Sequence, residues 1–232
     1  MKRFVSLATL LTCSLGAASA DITALFNGTI PSQTASTTAL GSTINGMPMG
    51  TFSFTDTATQ QNFGAFCIDY YQPVTPGETY NFEVRNLNDM PTIGGSELRI
   101  SRYQELFDRF YGDTIDNATN ASAFQLAAWE LLFDGAKPGP LSLSSGDFTA
   151  TNNTDAIATA NSWLGIIDNP KLADPTTNLQ LVGLFSPTNQ DQITVVPNPI
   201  PAPAGLVLLL IGGAAVVARR KFAAKTTEVA VA

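Results

Sequence analysis

The chain has 232 residues, a formal net charge of −7 and no histidine. Without histidine, Ser-His-Asp and Cys-His hydrolysis in their usual form and His-ligated zinc or iron are excluded, and no P-loop, G-x-G-x-x-G or EF-hand spacing is present. The acidic balance opposes nucleic acid, anionic polysaccharide and acidic lipid headgroups as general partners, since each would be repelled.

The chain begins Met1-Lys2-Arg3-Phe4, continues with an apolar run from Val5 to Leu15 and reaches Ala18-Ser19-Ala20 before Asp21. A basic start, an apolar stretch too brief to span a bilayer and an A-x-A-like site read as a cleaved secretory signal over 1–20. The secreted part, 21–195, reads as one domain. It keeps Arg85, Arg99, Arg102, Arg109, Lys137 and Lys171 as its only basic residues, against all but one of the chain's 19 acidic ones.

Asp21 to Asp56 is rich in Thr, Ser and Gly and contains short alternations such as Thr51-Phe52-Ser53-Phe54, which predict strands joined by loops. Two more strands are predicted over Phe63 to Tyr71 and Thr79 to Arg85, with the turn signal Pro73 to Glu78 between them. Period-two alternation puts Cys67 on one face with Ala65 and Asp69, and Phe66 and Ile68 on the other. A helix from Glu97 to Tyr111 follows, capped by Ser96 and ended by Gly112, with Ile100, Tyr103, Leu106, Phe107 and Phe110 as its apolar stripe. A second helix, Ala121 to Asp134, starts near Asn120 or Ser122; it is apolar all round and so predicted to be buried. The stretch Asp147 to Asp155 reads as a polar turn rather than a calcium loop. A third helix over Asp155 to Ile167 and closing strands over Leu179 to Phe185 and Gln192 to Val196 complete an α+β fold. It is expected to be mainly antiparallel strands with a few inserted helices.

Beyond the domain come Val196-Pro197-Asn198-Pro199-Ile200-Pro201-Ala202-Pro203, an apolar run from Ala204 to Ala218 and the basic cluster Arg219-Arg220-Lys221. Prolines make an extended approach, the apolar run makes a short membrane segment, and the basic cluster stays cytoplasmic. This layout over 196–221 resembles the PEP-CTERM sorting signal of exosortase substrates in Gram-negative bacteria. It departs from that pattern in reading Val-Pro-Asn-Pro for Pro-Glu-Pro and in the short cytoplasmic tail 222–232. The resemblance implies an exosortase-type processing enzyme as partner, transient membrane anchoring through the C-terminal segment, and a final place at the cell surface or in the extracellular matrix.

With Cys13 in the signal, Cys67 is the lone cysteine of the secreted part. That compartment favours disulfides, so an unpaired thiol there calls for an explanation. A thiol held against a glutamine carboxamide can displace ammonia and leave an internal thioester, a stored electrophile that an amine or hydroxyl can open. Such a bond needs the two groups on separate rigid elements in a dry site. Gln125, on the buried second helix with Trp129 one turn on, meets that description. A buried cysteine acting as a small hydrophobe and a glutamine making hydrogen bonds is the plain alternative.

Phe66-Cys67 followed by Phe124-Gln125-Leu126-Ala127-Ala128-Trp129 resembles the paired motifs of the thioester domains of bacterial surface adhesins. There an aromatic residue precedes the cysteine and a Gln-x-Ala-x-Trp segment supplies the acyl partner. The resemblance covers Phe52 to Phe185, with Phe124 in place of a more usual small or hydroxylated residue. It implies a thioester between Cys67 and Gln125, with Phe66, Ala127 and Trp129 shielding it. It also implies covalent attachment to an amine-bearing surface or matrix ligand, without turnover as an enzyme and with neither metal nor cofactor. Asp69 is a candidate for orienting the incoming nucleophile. The alternative is an exosortase-sorted matrix component, structural or binding, with no reactive bond. Tyr70, Tyr71 and Tyr103 suit either a ligand groove or core packing, and Lys137 could face a carboxylate.

Overall fold

The structure, a computed structural model, describes residues 21–196 apart from 116, 168, 170–172, 174 and 176. The predicted signal over 1–20, the sorting segment after Val196 and the tail 222–232 therefore lie outside the described residues. Among the described residues no helix is long and apolar enough to cross a membrane.

The Thr-, Ser- and Gly-rich N-terminal region forms two long strands, β1 (Asp21–Ala39) and β2 (Ser42–Asp56). They join through Leu40 and Gly41, whose φ values of 49° and 82° give the left-handed two-residue turn that suits a twisted hairpin. The hairpin changes register three times along its length, which bends it. At one of these points Gly50 is required, because a Cβ there would lie 2.1 Å from the Pro31 carbonyl oxygen. Strands β3 (Asn62–Cys67) and β4 (Thr79–Arg85) follow. The predicted strand to Tyr71 stops at Cys67.

Later come β5 (Phe148–Thr151), β6 (Leu181–Phe185) and β7 (Gln192–Val195). All pairings are antiparallel, and their order is β2-β3-β7-β6-β4-β1-β5 with β2 pairing β1 as well. The hydrogen bonding therefore runs round a ring, β1-β2-β3-β7-β6-β4 and back to β1, with β5 added on the far end of β1. A ring leaves few free edges, which limits edge-to-edge association of its Thr-rich strands. The polar turn expected over Asp147 to Asp155 is thus corrected: Phe148–Thr151 pairs with Ser36–Ala39, and Phe148 and Ala150 point into the core.

Three helices cover the strands: α1 (Glu97–Phe110), α2 (Ala118–Phe133) and α3 (Thr154–Ile167). Ser96 caps α1 as predicted, accepting from the Arg99 N–H. The start of α2 lies one turn earlier than predicted, and its cap is Asn117, which accepts from the Asn120 N–H. Every residue from Ala121 to Leu132 is buried, as the all-round apolar sequence requires. One side of α2 meets β1 and β2, and other sides meet α1 and α3. Phe124 lies among Phe66, Phe107, Tyr111 and Trp163, while Phe110 stacks on Trp163 at 4.7 Å. Truncating an aromatic at such a position typically costs about 3–5 kcal/mol. The buried Arg102 guanidinium holds the loop after α2 by donating to the carbonyls of Gly135, Lys137 and Gly139.

Candidate functional site

Cys67 is the last residue of β3, and β7 flanks one edge of the strand there. The Ile68 N–H donates to the Asp191 carbonyl on that side, so the Cys67 backbone groups face the opposite edge. On that edge β2 has already left, since its last partner in β3 is Ala65. Two buried backbone groups would then be orphaned. The Gln125 side chain takes the place of the missing strand: the Cys67 N–H donates to Gln125 Oε1 at 2.9 Å and Gln125 Nε2 donates to the Cys67 carbonyl at 2.8 Å. Cys67 and Gln125 are each 0% exposed.

The position of Gln125 follows from α2. Ser122, Gln125 and Trp129 lie at i, i+3 and i+7, on the helix face turned toward the strands. The Ser122 hydroxyl accepts from the Gln33 N–H at 3.0 Å and donates to the Met49 carbonyl at 2.9 Å, fixing the helix against the irregular part of the hairpin. Sequence reading placed Ser122 or Asn120 near the helix start; Ser122 is instead a buried peg one turn inside.

The thiol donates to the Asp69 backbone carbonyl at 3.2 Å. The Asp69 carboxylate, the group predicted to orient a nucleophile, instead accepts from the Tyr71 N–H at 3.4 Å. Burial pushes the Cys67 thiol up to about 12; the Trp129 indole and the Asp69 carbonyl bond pull the other way, and the charges of Asp69 and Asp191 add to the rise. The thiol is therefore protonated at neutral pH.

Of the three residues predicted to shield the pair, Trp129 stands with the thiol: its indole acts on Cys67, and Nε1 is buried with no conventional acceptor. Phe66 instead packs on Phe124, with ring centroids 4.3 Å apart, and on Phe107 and Tyr111. Ala127 is fully buried in α2. Tyr70 sits edge-on to Trp129 at 5.3 Å and bonds Thr37 Oγ1 at 2.6 Å. Tyr103 is a core residue whose hydroxyl donates to the Ala128 carbonyl. Lys137 pairs with Asp134 and Asp147 at the surface, and with its side chain 55% exposed it is an ordinary solvated ion pair.

Sequence reading missed an amide relay on β7 and the turn before it. Gln192 Nε2 donates to Gln190 Oε1, and Gln190 Nε2 donates to the same Asp69 carbonyl that accepts from the thiol. The run Gln190-Asp191-Gln192, polar where a closing strand should be apolar, was the available signal. Asp191 accepts from the Ser186 N–H and the Thr92 hydroxyl, and burial raises its carboxyl. Among the described residues no group of His, Cys, Asp and Glu could hold a metal ion.

The site thus unites a buried thiol, a carboxamide clamped on the thiol residue's own backbone and an indole N–H. No family model matches the chain, and no curated protein or solved structure matches it.

Proposed function

We propose that Cys67 and Gln125 form an internal thioester that attaches this exported protein covalently to an amine-bearing ligand. One observation carries the proposal: the two-way hydrogen bonding of the Gln125 carboxamide to Cys67. In the forming step Sγ attacks Gln125 Cδ. The growing negative charge on Oε1 is received by the Cys67 N–H, as in an oxyanion hole. Nε2 leaves as ammonia, taking the thiol proton. In the opening step an amine attacks Cδ, an amide replaces the thioester, and the amine's surplus proton passes to sulfur. Trp129 Nε1–H supports the departing sulfur, which would otherwise be a poor leaving group in so dry a site. Each bond is used once, so the protein is not a turnover enzyme.

A second reading has its own observation. The same carboxamide completes the backbone edge that β2 abandons, which is a sufficient structural reason for a glutamine at 125. On that reading the protein is a matrix component with an inert buried cysteine. On both readings the sequence signals at the two ends propose delivery across the inner membrane, processing by an exosortase-type enzyme and display at the surface or in the matrix.

Intact mass separates the two. The purified protein should be lighter than its sequence mass by one ammonia, and methylamine should remove that deficit while releasing one titratable thiol. The Cys67→Ala variant should show neither effect. A wild-type mass equal to the sequence mass would leave the structural reading standing.

A further inference from the structure

A cleft of about 410 Å³ opens beside the thiol site, between the β1–β2 hairpin and the segment after β3. Trp129, Tyr70, Gln190, Ile44, Met47 and Val74 are among the residues that line it. It shares with the site Tyr70, Trp129, whose indole acts on the thiol, and Gln190, which bonds the carbonyl that accepts from the thiol. In a chain of net charge −7, none of the side chains lining this cleft is charged.

Two polar atoms here are buried without a partner: Trp129 Nε1, a donor on a residue 1% exposed, and Gln72 Oε1, an acceptor. Buried unpartnered polar atoms are costly, and their presence in a cleft marks where a ligand supplies the missing partner. The donor belongs to the residue whose indole pulls the Cys67 thiol down. The acceptor calls for an N–H or O–H on whatever enters.

We infer that this cleft is the approach path to the thioester and that it selects primary amines carried on an uncharged, apolar stem. The inference rests on the thioester reading above. The stem lies against Tyr70, Tyr71, Met47 and Val74, and the amine N–H meets Gln72 Oε1. An alkylammonium entering a cleft without a carboxylate loses hydration with no compensating ion pair, so its pKa falls and the neutral, nucleophilic amine predominates. A ligand with a second charge on its stem has no partner for it there and is disfavoured.

The test is the rate of thiol release from the purified protein with methylamine, butylamine, hexylamine and 1,6-diaminohexane, compared at equal free-base concentration. Apolar burial of the stem should raise the rate by about tenfold or more from methylamine to hexylamine. The second charge of diaminohexane should cancel that gain. In two separate variants, Val74→Asp and Ile44→Asp, the hexylamine-to-methylamine ratio should collapse toward one; both positions are half-buried, so at least one is expected to fold. Equal rates across the series, with the thiol still released by every amine, would overturn the cleft inference and leave the thioester intact. No release by any amine, together with no mass deficit, would overturn the thioester reading and this inference with it.

Discussion

Glu130 lies on buried α2, five residues after Gln125, and its chemistry follows from that placement. One oxygen accepts the Ser142 N–H at 2.9 Å, and the other is buried without a partner. Burial raises its carboxyl to about 8, with the nearby Asp134 adding to the rise, while the Ser142 bond, Lys137 and Arg102 oppose it. The folded protein therefore keeps a proton that the unfolded chain releases at an ordinary glutamate pKa. Stability from this group is complete below that ordinary range and is lost as pH rises toward 8. Between about pH 5 and pH 8 the wild type should lose on the order of 2 kcal/mol through this residue. Glu130→Gln keeps an acceptor for Ser142 and should flatten that slope, as thermal melts across the range would report. The residue was legible in the sequence only as a lone charge in an apolar helix; its missing partner was not.

At the scale of the element, α2 is decided by its polar residues as much as by its apolar ones. Its all-round hydrophobicity, readable in the sequence, says that it is central, but not which face meets the strands. Ser122, Gln125 and Trp129 settle that: Ser122 bonds Gln33 and Met49 of the hairpin, Gln125 bonds the backbone of Cys67 in β3, and Trp129 packs against Phe148 of β5. Ser122→Ala would leave the Gln33 N–H and the Met49 carbonyl without their shared partner, at a cost of about 2 kcal/mol. Urea unfolding should show a lower midpoint with an unchanged slope. Strand β4 was legible to the residue, Thr79–Arg85, because its alternation is bounded by a strong turn before it. Strand β5 was not: Thr149 and Thr151 among aspartates and asparagines look like a turn until the end of β1 offers them a partner. The Asn117 cap was missed because the apolar run that marks a helix begins a turn after the helix itself does.

For the whole molecule, the ring of strands closes late in the chain. β6 pairs with β4 and β7 with β3, so the last two strands complete a circuit begun by the first two. The Cys67 edge depends on that closure, since β7 supplies its second flank. A chain ending at residue 180 should therefore lose its cooperative melt, and Cys67 should label rapidly with a thiol-reactive dye that leaves the native wild-type cysteine untouched. Retention of a sharp melt by the truncated chain would mean that the strands do not depend on closure. What the sequence determined by itself is local: the absence of histidine and the chemistry that goes with it, the period-two and helical stretches, the burial of α2 and the candidate pair Cys67 and Gln125. These rest on residue type and on neighbours within a turn or two, which pattern reports directly. Only the tertiary structure decided that β2 leaves β3 after Ala65, two residues before Cys67, that Gln125 rather than a strand fills that edge, that Asp69 meets the thiol through its carbonyl, and that an uncharged cleft opens beside Trp129. Each of these depends on which distant backbone edge is left unpaired, and hydrogen bonding between segments far apart in sequence leaves no periodic trace in either one.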